Sequence, residues 1–320
     1  MTTTKNLRTV SLTTLIAASL GASLAVNAAD KPAAKPAAPS FDSGVISGLG
    51  ARNIGSATMS GRIAAIAAVP GKDGKTHLFV GAASGGVWKS TDSGTTFKPV
   101  FDKQDVQSIG AITIDPSNHD TIWVGTGESW TRNSVSVGDG IYKSTDGGRS
   151  FVNIGLRETQ TIARIVIDPR DPDIVYVAVP GHLFGPNAER GLYKTTDGGR
   201  SWKRIKYIDA YTGFTDVVLD PSNSDIVYAA SYQRVRTSCC YNGGGPGSAL
   251  WKSVDGGASW TKLTRGLPAG PYGRIAIDVS RADPRVVYAQ IEAGESVLMA
   301  RGDGADRSEE RRVGKEGRSR

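Results

Sequence analysis

The chain has 320 residues and a formal net charge of +7. Much of that charge lies at the ends, because two positive charges fall in the first eight residues and the last twenty residues contain seven basic against five acidic side chains. About +3 remains for residues 29–300, without a basic stripe interleaved with aromatic residues. We therefore exclude nucleic acid as a predicted partner.

The first 28 residues have the pattern of a secretory signal peptide. Lys5 and Arg8 form a short basic region, an apolar stretch runs from 12 to 26, and small residues at 26–28 provide a cleavage site. The stretch is too short and too rich in Ser and Thr for a membrane span, and no other candidate span follows. Residues 29–43 are rich in Ala, Pro and Lys and are predicted to be an extended linker. We expect an exported protein, periplasmic or extracellular, without a membrane span after signal removal.

One short pattern, S/T-x-D-x-G-x-x-F/W, occurs four times along the chain. Its copies occupy 90–97, 144–151, 195–202 and 253–260, so that successive aspartates are 54, 51 and 58 residues apart. A catalytic carboxylate is needed once or twice in a protein, whereas an element of the scaffold is needed once in each structural unit. The recurrence therefore favours a structural role for the pattern.

Each copy lies between two short strand-like runs, as GIYK and FVNIG flank the second copy. Two further runs rich in β-branched residues precede it, separated by a turn rich in Pro and Asp. The unit is thus four strands in about 50 residues, with no helical periodicity. Such repetition predicts an all-β fold, a β-propeller with four complete four-stranded antiparallel blades and part of a fifth.

The repeat resembles the Asp-box, also called the bacterial neuraminidase (BNR) repeat, which implies a hairpin turn between the third and fourth strands of each blade. In such a turn the carboxylate accepts backbone N–H groups of its own turn, and the glycine two residues later adopts a positive φ. We therefore predict a structural role for four aspartates, Asp92, Asp146, Asp197 and Asp255. A calcium site is the alternative role for them; our prediction is no metal and no cofactor.

The predicted propeller covers residues 44–300 and is incomplete. Segment 44–56 resembles an outer fourth strand of the kind that completes the last blade of a propeller, and the fifth unit lacks an Asp-box aromatic residue and a fourth strand. Residues 301–320 form a charged tail that is either disordered or foreign to the gene. We therefore expect the remaining blades to belong to missing C-terminal sequence.

The connections between second and third strands vary most in length, from four residues at 83–86 to nineteen at 231–249. Blade geometry puts them at the end opposite to the Asp-box turns, and long irregular loops on a rigid scaffold are where binding usually resides. These loops contain the candidate ligand-binding residues Glu128, Trp130, Arg132, Asn133, His182, Arg190 and Arg234. Hydrogen bonding between loops is the structural alternative for each of them.

A second candidate set begins the innermost strands. Arg62, Arg164 and Arg274 precede apolar runs and are predicted to point into the central channel. Because the guanidinium fork matches carboxylate geometry, three such groups would favour an anionic or carboxylate-bearing ligand. Asp216 holds the equivalent position in the fourth unit and could neutralise one arginine. Bridging between neighbouring blades is the alternative role for these arginines.

Cys239 and Cys240 are adjacent and are the only cysteines of the chain. A vicinal disulfide, two surface thiols and an intermolecular bridge are all compatible with this arrangement. No catalytic role is predicted for the pair.

Three families that share the repeat imply different functions. Sialidases combine three arginines with a Tyr nucleophile, a Glu and an acid Asp, of which only the arginines have loose counterparts here. Xyloglucanase-type glycoside hydrolases have a catalytic aspartate two residues before a Gly-Gly pair that opens a third strand. Ala83 stands at that position here, two residues before Gly85.

The best overall match is the group of exported bacterial propellers that resemble the sortilin ectodomain and are labelled glycosyl hydrolases by repeat similarity. The stretches SGRI at 60–63, GTGE at 125–128 and NGGGPGSALWKSVDGG at 242–257 have this resemblance. It implies a peptide, protein or glycan ligand at the loop-bearing mouth of the channel, and we predict a ligand-binding propeller. The alternative is a glycoside hydrolase, with Glu128 and Asp139 as candidate catalytic carboxylates.

Overall fold

The computed structural model describes residues 62–132 and 135–294 of the chain. Within these ranges the chain forms six antiparallel sheets, five of which follow one another as blades 1 to 5, while the sixth is a two-stranded hairpin inserted in blade 4. Blade 1 contains β1 (Ile63–Pro70), β2 (Thr76–Ala82), β3 (Val87–Ser90) and β4 (Lys98–Pro99). Blade 2 contains β5 (Ile109–Ile114), β6 (Ile122–Thr126), β7 (Ile141–Ser144) and β8 (Val152–Asn153). Blade 3 contains β9 (Arg164–Asp168), β10 (Asp171–Val179), β11 (Gly191–Thr195) and β12 (Lys203–Lys206).

The fourth blade has an insertion between its second and third strands. Blade 4 contains β13 (Thr212–Asp220), β14 (Asn223–Gln233), β17 (Ala249–Ser253) and β18 (Thr261–Leu263). The inserted hairpin consists of β15 (Val235–Arg236) and β16 (Tyr241–Asn242). Blade 5 is described by two strands, β19 (Tyr272–Val279) and β20 (Val287–Ala293). A short 3-10 turn, Arg157–Thr159, precedes blade 3.

The predicted fold class is confirmed. In blades 1 to 4 four strands pair antiparallel in chain order, with only the inserted hairpin skipped in blade 4. The predicted signal peptide (1–28), linker (29–43), closing strand (44–56) and charged tail (301–320) lie outside the described residues. No helix among the described residues is long and apolar enough to cross a membrane.

Neighbouring blades pack face to face, because a single four-stranded sheet cannot bury both of its surfaces. Four buried clusters lie between successive blades, and each draws its side chains from both. Trp123 of β6 and Val177 of β10, for example, belong to the cluster between blades 2 and 3, and both are fully buried. Burying one such large apolar side chain contributes roughly 1.5–3 kcal/mol. The hydrophobic core of the array is therefore a series of interfaces between blades.

Strand direction separates two ends of the propeller. The turns that join first to second strands lie beside the Asp-box turns, since the Gly147, Gly198 and Gly256 N–H groups donate to the Asp120, Asp173 and Asp225 carbonyls at 2.9 to 3.0 Å. We call this the Asp-box end. The connections between second and third strands lie at the opposite end, together with the starts of the innermost strands, and we call it the loop end.

Each Asp-box turn is closed by its own hydrogen bonds. The Asp146 carboxylate accepts the N–H groups of Arg149 and Ser150 and the hydroxyls of Ser144 and Ser150. Gly148 has a φ of 83°, a value that is unfavourable for residues with a side chain. The same hydroxyl and backbone bonds recur at the other three boxes, and the serine or threonine hydroxyl four residues after the aspartate lowers the pKa of Asp92 and of Asp255 to about 2. The pKa of Asp146 and of Asp197 is lowered for the same reason.

A lysine in the third strand of blades 1, 2 and 3 connects that blade to the next. The ammonium groups of Lys89, Lys143 and Lys194 donate to the carbonyl of the first Asp-box glycine in the following blade, at 2.7, 3.0 and 2.8 Å. Each also lies over an aromatic ring of its own blade, 4.6 to 5.4 Å from the ring centre. Burial lowers the pKa of all three lysines. The Asp-box turn therefore also serves as the acceptor for the preceding blade.

Candidate functional site

The loop that follows β6 is the centre of the loop end, and we call residues 128–132 the hub segment. Its first residue, Glu128, is 3% exposed. Both carboxylate oxygens of Glu128 accept hydrogen bonds from Arg62 of blade 1, the Nε–Oε1 bond measuring 2.9 Å. The backbone N–H of Glu128 donates to the Ser108 hydroxyl at 3.0 Å, and Arg132 Nε lies 3.9 Å from Oε1. Glu128 thus joins blade 2 to blade 1.

The second hub residue is held through its backbone carbonyl. Arg234 of blade 4 and Arg274 of blade 5 both donate to the Ser129 carbonyl, at 3.2 and 3.3 Å. Arg234 is 1% exposed and its other terminal nitrogen donates to the Gly181 carbonyl at 3.0 Å. Burial, followed by the nearby charge of Arg190, lowers the pKa of Arg234 to about 10. One buried guanidinium therefore connects the loops of blades 2, 3 and 4.

The third and fourth hub residues complete the set of contacts between blades. Trp130 is 53% exposed, and the Arg274 guanidinium lies 4.0 Å from its ring centre. The Thr131 hydroxyl accepts the Tyr241 hydroxyl at 3.1 Å, and Tyr241 also contacts the hydroxyl of Tyr232. Four consecutive residues of blade 2 are consequently fastened to blades 1, 4 and 5, and the tryptophan is the member that solvent reaches most.

The loop of blade 3 is organised around a second buried arginine. Arg190 is fully buried and donates to the carbonyls of Pro180 and His182 at 2.7 and 2.6 Å. Burial lowers the pKa of Arg190 to about 10. His182 Nε2 donates to the Glu158 carbonyl at 2.8 Å. Arg190 and His182, both predicted to bind ligand, therefore form hydrogen bonds within and between loops, which is the structural alternative predicted for them.

The three inner-strand arginines have different partners. Arg62 is paired with Glu128, and Arg164 Nε lies 3.6 Å from the Asp216 carboxylate. Asp216 also accepts the Ile277 N–H at 2.9 Å, and burial raises the pKa of its carboxyl. Arg274 stacks on Trp130. Among the described residues the three guanidinium groups are thus engaged separately, and neutralisation by Asp216 applies to Arg164.

The second candidate catalytic carboxylate, Asp139, also has protein partners. Asp139 accepts the Tyr142 hydroxyl at 2.7 Å and lies 3.5 Å from Arg157 Nη1. Burial, together with the hydrogen bond to Asp139, raises the pKa of Tyr142 to about 12. Ala83, at the position of the xyloglucanase-type aspartate, is completely buried. Asn133, the remaining candidate, lies outside the described residues.

A cavity of about 950 Å³ runs along the innermost strands of all five blades. Its wall is mostly alanine, isoleucine and valine, with Arg164 and His119 among the few charged or polar members. Trp130 and the rest of the hub segment do not line it. The cavity along the innermost strands and the loop surface are therefore separate features. No group of three or more His, Cys, Asp or Glu side chains that could hold a metal occurs in residues 62–132 and 135–294.

The inserted hairpin of blade 4 contacts the loops of blades 2 and 3. The Arg236 N–H donates to the Leu183 carbonyl at 3.2 Å, and the Tyr241 hydroxyl reaches Thr131 as described above. Cys239 and Cys240 form a vicinal disulfide at the exposed tip of this hairpin. Of the three arrangements compatible with the sequence, the structure has the vicinal bridge.

Sequence reasoning missed the elements that organise the hub. Ser108, Ser129 and Thr131 contribute a hydroxyl or a backbone carbonyl, groups that occur throughout the chain and have no recognisable pattern. The interblade lysines did have a signal, because a lysine directly precedes the Ser or Thr that opens every Asp-box copy. That regularity indicates a contact repeated once per blade.

Repeats, sheets and blade interfaces together define the class of this protein: it is an Asp-box (BNR) β-propeller. A family model described as Sortilin-Vps10 (sortilin, neurotensin receptor 3) matches residues 139–296, so this part of the chain is similar to that family. The match includes the Asp-box turns of blades 2, 3 and 4 and the loops of blades 3 and 4, whereas the hub segment at 128–132 precedes it.

Curated relatives include xyloglucanases. One from Paenibacillus sp. is 25% identical over 224 residues, an alignment covering 61% of this chain and 20% of the relative. Xyloglucanase Xgh74A of Acetivibrio thermocellus is 32% identical over 221 residues, covering 61% of this chain and 25% of the relative. This chain thus spans about a fifth to a quarter of the length of these relatives.

Solved structures agree on the fold. The crystal structure of an ancestral GH74 enzyme has a TM-score of 0.50 and 22% identity, covering 70% of this chain and 28% of that one. At that level of identity the similarity concerns architecture.

Proposed function

We propose that the loop end binds a peptide, protein or glycan ligand, and that the protein is exported to the periplasm or the extracellular space. The observation that supports binding is the hub segment: a tryptophan that is 53% exposed sits in a segment fastened to three other blades. Exposed aromatic side chains on a fixed support are typical of binding surfaces, because little conformational freedom is lost when the ligand arrives. The signal-like pattern of residues 1–28 supports export.

A glycoside hydrolase is the second candidate, and the similarity to proteins named xyloglucanase favours it. Hydrolysis of a glycosidic bond by the usual route needs two carboxyl groups that reach the substrate. Both oxygens of Glu128 are instead occupied by Arg62, and Asp139 is bonded to Tyr142 and close to Arg157. The local geometry therefore favours binding over catalysis.

The test uses the full chain on glycan and peptide arrays, in parallel with a reducing-sugar assay. We expect binding without turnover, and loss of that binding in Trp130→Ala. Tyr288→Ala is the matched control, because Tyr288 is also an exposed aromatic residue, 63% exposed, but belongs to β20 of blade 5.

Two results would contradict the proposal. Turnover that disappears in Glu128→Gln or Asp139→Asn would establish the hydrolase instead. Ligand binding of unchanged affinity in Trp130→Ala would remove the hub segment from the binding surface.

A further inference from the structure

Positive charge surrounds Trp130. Arg274 stacks on the ring, Arg132 is two residues away with a side chain that is 48% exposed, and Arg234 lies beneath the Ser129 carbonyl. The acid of the same segment, Glu128, is paired with Arg62 and also lies 3.9 Å from Arg132. Among the described residues no carboxylate forms an ion pair with the guanidinium groups of Arg274 or Arg234, although the Glu292 carboxylate accepts the backbone N–H of Arg274.

The Arg234 and Arg274 guanidinium groups donate to backbone carbonyl groups, and Arg274 also lies over the Trp130 ring. A guanidinium bonded to carbonyls retains its full positive charge, and burial together with like charges lowers the pKa of Arg234 and, chiefly through burial, that of Arg274. An anionic group placed at this surface would lower the electrostatic free energy of the cluster. The surface therefore favours a ligand that has a carboxylate.

The surroundings of Trp130 also indicate which part of the ligand, besides the carboxylate, contacts the indole ring. One ring face is covered by Arg274, the side chain is 53% exposed, and the residue does not line the cavity along the innermost strands. Aromatic anchors of peptide ligands gain most in enclosed, desolvated pockets. A sugar ring has an apolar C–H face that can cover an open indole while its hydroxyl groups remain hydrated.

We infer that the hub segment recognises an acidic glycan, with the pyranose ring of a uronate stacked on the free face of Trp130 and its carboxylate paired with Arg132 and Arg274. The inference rests on the ligand-binding function proposed above and narrows it to one class of ligand. Recognition then combines one aromatic contact with charge pairing at an exposed rim, so affinity should fall as salt rises.

The test compares a galacturonate tetramer with the same tetramer methyl-esterified at its carboxylates, which removes the charges and adds one methyl group to each carboxyl. Titration calorimetry on the full chain is expected to give an affinity about tenfold higher for the free acid, the equivalent of about 1.4 kcal/mol for a charge-assisted contact. Arg132→Gln and Arg274→Gln should reduce that ratio towards one. Trp130→Ala should abolish binding of both probes.

Matched controls keep the outcome interpretable. Arg285→Gln removes an arginine whose side chain is 90% exposed and is paired with Asp283, and it should leave the ratio unchanged. Each variant is first checked for an unchanged melting temperature. For Arg274→Gln, which loses a bond to Ser129, the Arg132→Gln variant provides the independent reading.

The possible failures are distinguishable. Equal affinity for acid and ester, or preference for a neutral glycan, would overturn the acidic class while the binding function stands. Binding of an acidic aromatic peptide without either tetramer would assign the surface to peptides. Absence of binding to all of these probes and to the arrays would overturn both the inference and the proposed function.

Discussion

The turns and loops at the two ends of the propeller are stabilised by hydrogen bonds of different range along the chain. At the Asp-box end, each carboxylate finds its partners within four residues, and the same bonds recur in four blades. At the loop end the decisive bonds join residues that are 66, 105 and 145 positions apart, and none of them is repeated. Local bonds can recur because each repeat encodes them by itself, whereas long-range bonds depend on how particular loops meet.

This difference bears on the ligand-binding site proposed above. A repeated local turn is nearly identical from blade to blade and offers no surface that is particular to this protein. The hub segment combines side chains from blades 1, 2, 4 and 5 in one place. Substitutions at the loop end should therefore have individual and large effects, and substitutions at the Asp-box end smaller and equivalent ones.

The largest effect is expected for Arg234→Met. The Ser129 and Gly181 carbonyls lose a charged donor in a buried environment, which we expect to lower the free energy of unfolding by about 3 kcal/mol. Urea denaturation followed by tryptophan fluorescence measures it. Arg285→Met, on an exposed turn, is the control and should change stability by less than about 0.5 kcal/mol. Equal effects of the two substitutions would contradict the role of Arg234.

The Arg62 and Glu128 pair should show strong coupling. We expect Glu128→Gln to lower the free energy of unfolding by about 2 kcal/mol, because the partly buried Arg62 guanidinium loses its charged partner. In a double-mutant cycle with Arg62→Gln the two effects should not add, since both remove the same interaction. Additive effects in the same denaturation assay would show that the two side chains act separately.

A smaller effect is expected for Lys143→Met at the Asp-box end. This change removes the bond to the Gly198 carbonyl and the contact with the Trp123 ring, and about 1 kcal/mol of stability should be lost. Lys252→Met is the internal comparison, because Lys252 lies over Tyr228 but has no following Asp-box among the described residues. If both variants lose the same stability, the bond between blades contributes nothing.

The smallest effect concerns acid sensitivity. In the folded protein the pKa of Asp92 and of Asp255 is lowered to about 2, compared with about 4 in an unfolded chain. A lowered carboxylate pKa stabilises the folded state above pH 4, and this contribution is lost as pH falls from about 4 to about 2. Thermal melting across that range should be less pH-dependent in Asp255→Asn than in the wild type. An unchanged pH profile would contradict the assignment.

Much of the fold could be predicted from residues close together in the chain. Asp146, Gly148 and Phe151 define one turn, and four such turns at regular spacing define four blades and the phase of their strands. The candidate site was predictable only as a region, through loop length and through residues such as Trp130 and Arg234. The pairings within the site could not be predicted, because nothing in the local sequence links Arg62 to Glu128 across 66 residues.

The repeated pattern alone predicted an Asp-box propeller and the orientation of its turns. It could do so because the turn bonds and the alternation of strands are properties of a few neighbouring residues. Tertiary contacts determined that Arg62 and Arg164 are neutralised, that Arg274 supports Trp130, and that one short segment of blade 2 meets three other blades. Those relationships arise only when packed blades bring distant loops to the same end, where buried charges and carbonyl groups must find partners.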